Sequence, residues 1–259
     1  MKPTFSLVIN HTRFKPQRVV ALDVMRRALG VDRGDVEAFF LNDTDYRALD
    51  WQQAKVQWAL AQWRWSADKF VTHHVFMTDD LHIMPGFWEA LSAMVEVRPN
   101  LPIGLLSNSP RGPLLFTEGG HHGYRTNSWI VGPAYVLSHE HLCEFLAWFE
   151  SLPDGSHLTY GTKAYRNDDS SINQWNTEHG PGQAFHPLPT IIEHRADIES
   201  TTGHGDKYSR ERVSWRAVRS VAPNGDGFRW VSEPLEADIE AMKKRAFWET
   251  EAPMLAVGE

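Results

Sequence analysis

The stretch His74-Val75-Phe76-Met77-Thr78-Asp79-Asp80 decides the fold class. Its apolar centre predicts a buried strand, and two adjacent carboxylates follow at the point where that strand ends. Three more short apolar runs end in polar residues in the same way. They are Phe5 to Asn10, followed by His11; Val36 to Leu41, followed by Asn42-Asp43; and Ile103 to Leu106, followed by Ser107-Asn108.

Helices are predicted between these strands. Residues 17 to 29 have apolar side chains at helical spacing, and Gly30 is a suitable C-cap. Residues 50 to 66 place three tryptophans seven apart on one helical stripe: Trp51, Trp58 and Trp65. The alternation of strand and helix over the first 150 residues predicts an α/β fold, a mostly parallel sheet with helices on both faces. Ligands of such sheets bind beyond the carboxyl ends of the strands, where the polar residues lie.

The second half of the chain is less regular. Residues 111 to 127 show no clear period and are predicted to form a long functional loop. A fifth strand is predicted to end at Leu137, with Ser138 as the N-cap of the helix that follows it. A single amphipathic helix is predicted near the C-terminus, with one apolar side made of Leu235, Ile239, Met242 and Phe247.

Composition and charge narrow the function classes. The 259 residues include 26 Lys and Arg against 33 Asp and Glu, and the net charge of -7 argues against a protein that coats nucleic acid. The single cysteine, Cys143, excludes an intramolecular disulfide framework and a cysteine-based zinc site. The sequence shows neither a membrane-span pattern nor a signal-peptide pattern, so we predict a cytoplasmic location. It also lacks the glycine-rich phosphate motifs of dinucleotide oxidoreductases and P-loop ATPases.

Three groups of residues are candidates for chemistry. Asp79-Asp80 could hold Mg²⁺ or Mn²⁺ against a diphosphate, or could simply cap the helix that follows. Asp168-Asp169 could provide a general base, or could be ordinary N-cap residues of a helix whose Ile172 and Trp175 face inward. His194 ends another apolar run and could complete a metal site or be a hydrogen-bonded structural residue.

Several of these segments together resemble a known family. Ser6 to His11 with Phe14-Lys15-Pro16 resembles the opening of nucleotide-sugar glycosyltransferases of the GT-A fold, and Phe76 to Asp80 resembles their acidic metal-binding motif. Residues 132 to 138 are similar to the acceptor-side strand of that family. Asp168-Asp169, with 189 to 195 and 200 to 204, is similar to the segment that runs from the catalytic carboxylate to a histidine. The resemblance spans about residues 5 to 205.

The resemblance implies a GT-A-like, Rossmann-like catalytic domain over residues 1 to 205. Residues 1 to 110 would bind the nucleotide sugar and residues 111 to 205 the acceptor. Residues 206 to 259 would form a C-terminal extension, a basic segment and a helix that pack on this domain. The implied activity is metal-dependent, inverting transfer of a sugar from a nucleoside diphosphate sugar to an acceptor hydroxyl.

The resemblance also assigns roles to individual residues. Asn10, His11 and Asp43 would lie near the base and ribose, Asp79 and Asp80 would hold the ribose and the metal-diphosphate, and Asp168 or Asp169 would deprotonate the acceptor. His194 would lie near the metal. The sequence departs from the family where Thr78 precedes the acidic pair and His82 follows it. The predicted ligands of Mn²⁺ or Mg²⁺ are therefore Asp80, His82 and His194.

The acceptor and the alternative functions depend on weaker patterns. Lys207, Arg210 and Arg212 begin a basic run that could steer a phosphate-bearing acceptor, including DNA with a hydroxylated base. The run could instead be a solvated face or could close over the donor diphosphate. The other candidate acceptor is a saccharide or a lipid-linked glycan.

One alternative function is a metal-dependent hydrolase that uses His139-Glu140-His141 with His73-His74 or His121-His122. Another is a non-catalytic protein that binds sugar or nucleic acid.

Overall fold

The computed structural model describes residues 2–13, 15–33, 36–42, 51–106, 111–127, 130, 133–152, 159–160, 163–164, 168–195, 198, 215, 218–221, 228–231 and 235–255. The first part of the chain contains β1 (Phe5–His11), α1 (Pro16–Leu29), a 3₁₀ turn (Val31–Arg33), β2 (Glu37–Asn42), α2 (Trp51–Ala67), β3 (His73–Thr78), β4 (Leu81–Ile83), α3 (Phe87–Val97) and β5 (Ile103–Gly104).

The elements that follow are mostly shorter. They are α4 (Gly112–Thr117), β6 (Gly123–Thr126), β7 (Ala134–Ser138), α5 (His139–Ser151), β8 (Thr159–Tyr160), β9 (Lys163–Ala164), α6 (Asp168–Glu178), β10 (Ala184–Pro187) and β11 (Ile192–His194). The last group is β12 (Val218–Val221), β13 (Phe228–Val231), α7 (Leu235–Met242), α8 (Arg245–Trp248) and β14 (Met254–Leu255).

A mixed sheet of eight strands organises the described residues, in the order β14-β6-β10-β5-β7-β3-β1-β2. Strands β2, β1, β3, β5 and β10 run in one direction, and β7, β6 and β14 run in the other. The predicted α/β class is confirmed, and the sheet is mostly parallel in the sense that five strands share a direction. The C-terminal strand β14 adds an edge to this sheet.

Helices cover both faces of the sheet, as predicted. Because successive side chains of a strand alternate between faces, Leu7, Ile9 and Met77 point to one side, and Val8 and Phe76 point to the other. The first core is completed by Met25 and Leu29 of α1 and by Leu91 and Met94 of α3. The second core is completed by Trp63 of α2, Phe145 of α5 and Ile172 and Trp175 of α6. The central strands are therefore fixed from both sides.

Two predictions about secondary structure are wrong. Residues 111 to 127 are not one long loop: they contain α4 and β6, and β6 hydrogen-bonds to β10 and β14 inside the main sheet. These elements have six and four residues, too few to show a hydrophobic period. The predicted C-terminal helix is interrupted at Lys243 and Lys244, between α7 and α8. Across this break the indole Nε1 of Trp248 donates to the Met242 carbonyl over 2.7 Å.

The tryptophan that anchors α2 is not part of the predicted stripe. Trp63 is completely buried, whereas Trp58 and Trp65 are half-buried. The Trp63 ring meets the ring of Phe145 edge-on at 4.6 Å, and its indole N–H donates to the hydroxyl of Tyr135 over 3.2 Å. The heptad spacing therefore located the helix, but the completely buried tryptophan lies outside that spacing.

The start of α5 offers a simple test of local stability. The Ser138 hydroxyl accepts a hydrogen bond from the amide N–H of His141 over 3.2 Å, which confirms the predicted N-cap. We expect Ser138→Ala to lower the free energy of unfolding by about 1 kcal/mol, because one amide N–H loses its acceptor. Urea denaturation measures the change. Ser151→Ala, at the exposed C-terminal end of α5, is the control, and an equal loss in both variants would contradict the capping role.

Among the described residues, no helix combines the length and the apolar character that a membrane span requires.

Candidate functional site

The candidate site lies where the central strands β1 and β3 end. From β1 the chain passes through α1 to β2 on one side, and then through α2 to β3 on the other side. From β3 the chain continues away from β1 towards β5, so the connections that leave β1 and β3 run in opposite directions, and the carboxyl ends of these strands form a switch point of the sheet. Asn10 and His11 end β1, and Asp79 and Asp80 directly follow β3. The amide N–H of Asp79 donates to the Asn10 carbonyl over 3.1 Å, so the two strand ends stay joined.

Asp79 is enclosed by donors from the first βα unit. The side chain of Asp79 is completely buried. Its Oδ2 accepts from the amide N–H of Thr12 over 2.7 Å and lies 2.7 Å from Nδ1 of His11. Its Oδ1 accepts from the guanidinium of Arg18. The protein itself thus engages both carboxylate oxygens, which fixes the loop after β1 against the end of β3.

Asp80 is held by a different set of partners. Thr78 donates its hydroxyl to Oδ1 over 2.6 Å, and Arg18 donates to Oδ2 over 2.6 Å. Nε2 of His194 lies 3.1 Å from the same Oδ2. Burial alone would raise the pKa of the Asp80 carboxyl. The hydrogen bond with His194 and the positive charge of Arg18 outweigh burial and hold this pKa well below its usual range. Asp80 is therefore a fixed negative charge at neutral pH.

Arg18 is a residue of the candidate site that the sequence did not lead us to predict. It lies in the first turn of α1 and is 3% exposed, and its two terminal nitrogens reach one carboxylate each, Asp79 and Asp80. A signal was present in the sequence. Arg18 has the same helical phase as the buried Met25 and Leu29, and a charge on the core-facing stripe of a helix requires a buried partner.

A short antiparallel pair of strands brings His194 to the site. Strand β11 pairs with β4 so that His194 lies opposite Leu81 and Glu193 lies opposite His82. Because neighbouring residues of a strand point to opposite faces, His82 and His194 lie on opposite faces of this pair. The predicted ligand set is therefore not gathered at one point.

The predicted divalent ion does not fit the described residues as they are arranged. Both oxygens of Asp80 already accept hydrogen bonds, and Arg18 occupies the space between the two carboxylates. Among the residues with a described position, no group of three or more His, Cys, Asp and Glu side chains could hold a metal ion.

The other predicted site residues have different positions. Asn10 lies at the switch point, and its side-chain Oδ1 is shielded from solvent without a hydrogen-bond donor in the described part of the chain. Asp169 lies in the first turn of α6, and its Oδ1 accepts from the amide N–H of Ser170 over 2.8 Å. Asp168 begins this helix, and its side chain is outside the described set. Asp43, Lys207, Arg210 and Arg212 also lie outside the described residues.

The histidine clusters of the hydrolase alternative lie elsewhere in the fold. His73 and His74 begin β3, at the edge of the sheet opposite to Asp79 and Asp80. Nε2 of His74 is 3.0 Å from Nδ1 of His139, and Nδ1 of His74 is 2.7 Å from the hydroxyl of Ser6. His121 and His122 contact the backbone carbonyls of Glu251 and Phe247. The histidines thus serve several separate hydrogen-bond networks.

The fold and the site together define an α/β protein with a buried charged cluster at the switch point of a mixed sheet. No protein-family model and no curated protein matches the sequence. Among solved structures, the chain is similar to the crystal structure of a glycosyltransferase involved in the glycosylation of the major capsid of PBCV-1. The match covers 93% of this chain and 100% of that chain, at 9% identity and a TM-score of 0.32. A likeness at this level does not establish a shared fold.

Proposed function

We propose that the protein transfers a sugar from a nucleoside diphosphate sugar to an acceptor hydroxyl. The observation that carries the proposal is the charged cluster at the switch point between β1 and β3, the position where open α/β sheets bind nucleotides. The resemblance of the sequence motifs to GT-A glycosyltransferases implies a donor at these same strand ends. We therefore assign Asn10, His11, Asp79 and Asp80 to the donor site.

The surroundings of Asn10 support a role in recognising the base. A buried carbonyl oxygen without a donor is costly, and a ligand N–H would remove that cost. Asn10 Oδ1 would then accept a hydrogen bond from the nucleobase. His11, the next residue of β1, points to the opposite face of the sheet, where it contacts Asp79. Asp79 has its oxygens engaged by the protein, so its role is to position His11 and the loop after β1.

The chemical step needs a base and a leaving group on opposite faces of the sugar. Asp168 or Asp169 would take the proton of the acceptor hydroxyl. The hydroxyl oxygen then forms a bond to the anomeric carbon while the bond from that carbon to the diphosphate oxygen breaks. The electron pair of this bond leaves with the nucleoside diphosphate, and the configuration at the anomeric carbon is inverted. Of the two acceptors, the net charge of -7 favours a saccharide over DNA.

A donor screen with three carboxylate variants tests the proposal. The full-length chain is incubated with a panel of nucleoside diphosphate sugars and a mixture of oligosaccharides, and release of the nucleoside diphosphate is measured. We expect release with one donor class. Asp168→Asn or Asp169→Asn is expected to slow it by roughly 10²–10⁴-fold while the donor still binds. Asp80→Asn is expected to weaken donor binding.

The control for these variants is a carboxylate far from the candidate donor site in its contacts, Asp32. Asp32→Asn removes an exposed carboxylate that pairs with Arg26 on the surface, and it should leave turnover unchanged. Donor binding without any turnover in the wild type would make the chain a binding protein. Loss of activity in His139→Ala, with normal activity in the aspartate variants, would favour the hydrolase instead.

A further inference from the structure

One guanidinium joins both members of the acidic pair. The terminal nitrogens of Arg18 donate to Oδ1 of Asp79 and to Oδ2 of Asp80, the second over 2.6 Å. All three side chains are almost fully buried, since Asp79 is 0%, Arg18 3% and Asp80 4% exposed. A guanidinium is permanently charged and its planar shape suits two carboxylates at once. The acidic pair therefore already has an internal cation.

This cation lies where a divalent ion at the acidic pair would have to bind. Such an ion needs a free oxygen from Asp80, yet Oδ1 accepts from Thr78 and Oδ2 contacts both Arg18 and His194. Mg²⁺ and Mn²⁺ are bound through oxygen ligands that approach the ion closely, which would require the guanidinium to leave. Displacing Arg18 would leave its own charge buried without an anion.

We propose that Arg18 replaces the divalent ion at the acidic pair, so that the chain binds a nucleoside diphosphate without metal. This inference rests on the proposed function. The diphosphate is neutralised by cationic side chains of the protein instead. Arg13 and Lys15 lie in the loop between β1 and α1, within four residues of His11. The side chain of His194, beside Asp80, is 26% exposed and could donate a hydrogen bond to the diphosphate. Arg18 thus keeps the acidic pair from repelling the diphosphate.

The first arm of the experiment uses Mn²⁺ alone. Metal-stripped wild type, Arg18→Gln and Arg27→Gln are titrated with Mn²⁺, and binding is followed by electron paramagnetic resonance of free Mn²⁺ and by thermal shift. Arg27 pairs with Asp23 on the exposed side of the same helix and is the matched control. We expect no saturable Mn²⁺ site in wild type or Arg27→Gln. Arg18→Gln removes the cation from Oδ1 of Asp79 and Oδ2 of Asp80, and it should show a saturable Mn²⁺ site that wild type lacks.

The second arm uses nucleoside diphosphates with the wild-type protein. The diphosphates of adenosine, guanosine, uridine and cytidine are titrated by calorimetry in EDTA and again in Mn²⁺. We expect one of them to bind equally well, within about threefold, under both conditions. Binding that is tenfold or more tighter with Mn²⁺ would overturn the inference, and so would a saturable Mn²⁺ site in the wild type.

The two arms separate this inference from the proposed function. If none of the four nucleotides binds in either condition, the proposed donor site is wrong, and the Mn²⁺ titration of the wild type still decides whether Arg18 excludes a metal. If Arg18→Gln fails to fold, the comparison of EDTA with Mn²⁺ in the wild type decides the inference without it. Arg18→Lys, which keeps one positive charge, should bind Mn²⁺ no better than wild type.

Discussion

Arg18→Met is expected to lower the free energy of unfolding by about 3–5 kcal/mol. Methionine retains most of the volume but none of the charge, so the variant leaves Asp79 and Asp80 buried side by side without their shared cation. Breaking a buried ion pair by removing one partner is costly because the remaining charge has lost both water and its counterion. Urea denaturation at neutral pH measures the loss.

A double-mutant cycle and a surface control distinguish the buried charge from lost packing. Adding Asp79→Asn to Arg18→Met removes one of the unpaired charges, so the double variant should be more stable than the sum of the single losses predicts. Arg27→Met breaks an exposed pair with Asp23 on the same helix and should cost less than about 1 kcal/mol. If the Arg18 and Arg27 variants were equally stable, the cluster would not depend on the guanidinium.

The central fold was predictable because its elements carry strong periodic signals. Strands β1 and β3 are apolar runs of ordinary length that end in polar residues, and α1 ends at Gly30, which has the left-handed conformation that its residue type favours. The order of the strands was not predictable in the same way. Pairings such as β6 with β10 join residues far apart in the sequence, and no local pattern specifies them.

Only part of the candidate site was predicted, because some of its residues come from segments that are far apart in the sequence. The positions of Asp79 and Asp80 follow from the end of β3, and that part of the prediction depends only on local sequence. Their partners come from two distant segments, Arg18 on α1 and His194 on β11. His82 was predicted as a ligand because it is close in sequence, but the alternation of β4 turns it to the face opposite His194.

Acidification is expected to destabilise the protein, with His74 responsible for much of the loss. Burial, followed by the nearby charges of His139 and His73, lowers the pKa of His74 from 6.5 to about 3. Burial lowers the pKa values of His73 and His141 as well. The unfolded chain therefore binds a proton at His74 near pH 6.5, whereas the folded protein does so only near pH 3. The free energy of unfolding therefore has its full value, as far as His74 is concerned, above pH 6.5, and it falls as the pH decreases towards 3.

A suitable pH window separates the loss of stability caused by the buried histidines from the loss caused by protonation of carboxylates. The full difference between the folded and unfolded pKa of His74 corresponds to about 5 kcal/mol, and a decrease from pH 6.5 to 4.5 should cost roughly 2–3 kcal/mol of it. Asp80, whose pKa is lowered from 3.8, contributes only below this window, because its stabilisation is lost when the carboxylate is protonated. The window therefore reports on the histidines.

His74→Gln isolates the contribution of this residue. Glutamine can still hydrogen-bond to Ser6 and His139 but does not titrate, so unfolding free energies measured in urea should fall less between pH 6.5 and 4.5 than in wild type. His179→Gln changes an exposed histidine and should keep the wild-type slope. An unchanged slope in His74→Gln would mean that His74 does not stay neutral in the folded protein. A reduced slope would establish that the Ser6, His74 and His139 network holds the base of β3 together only while His74 is neutral.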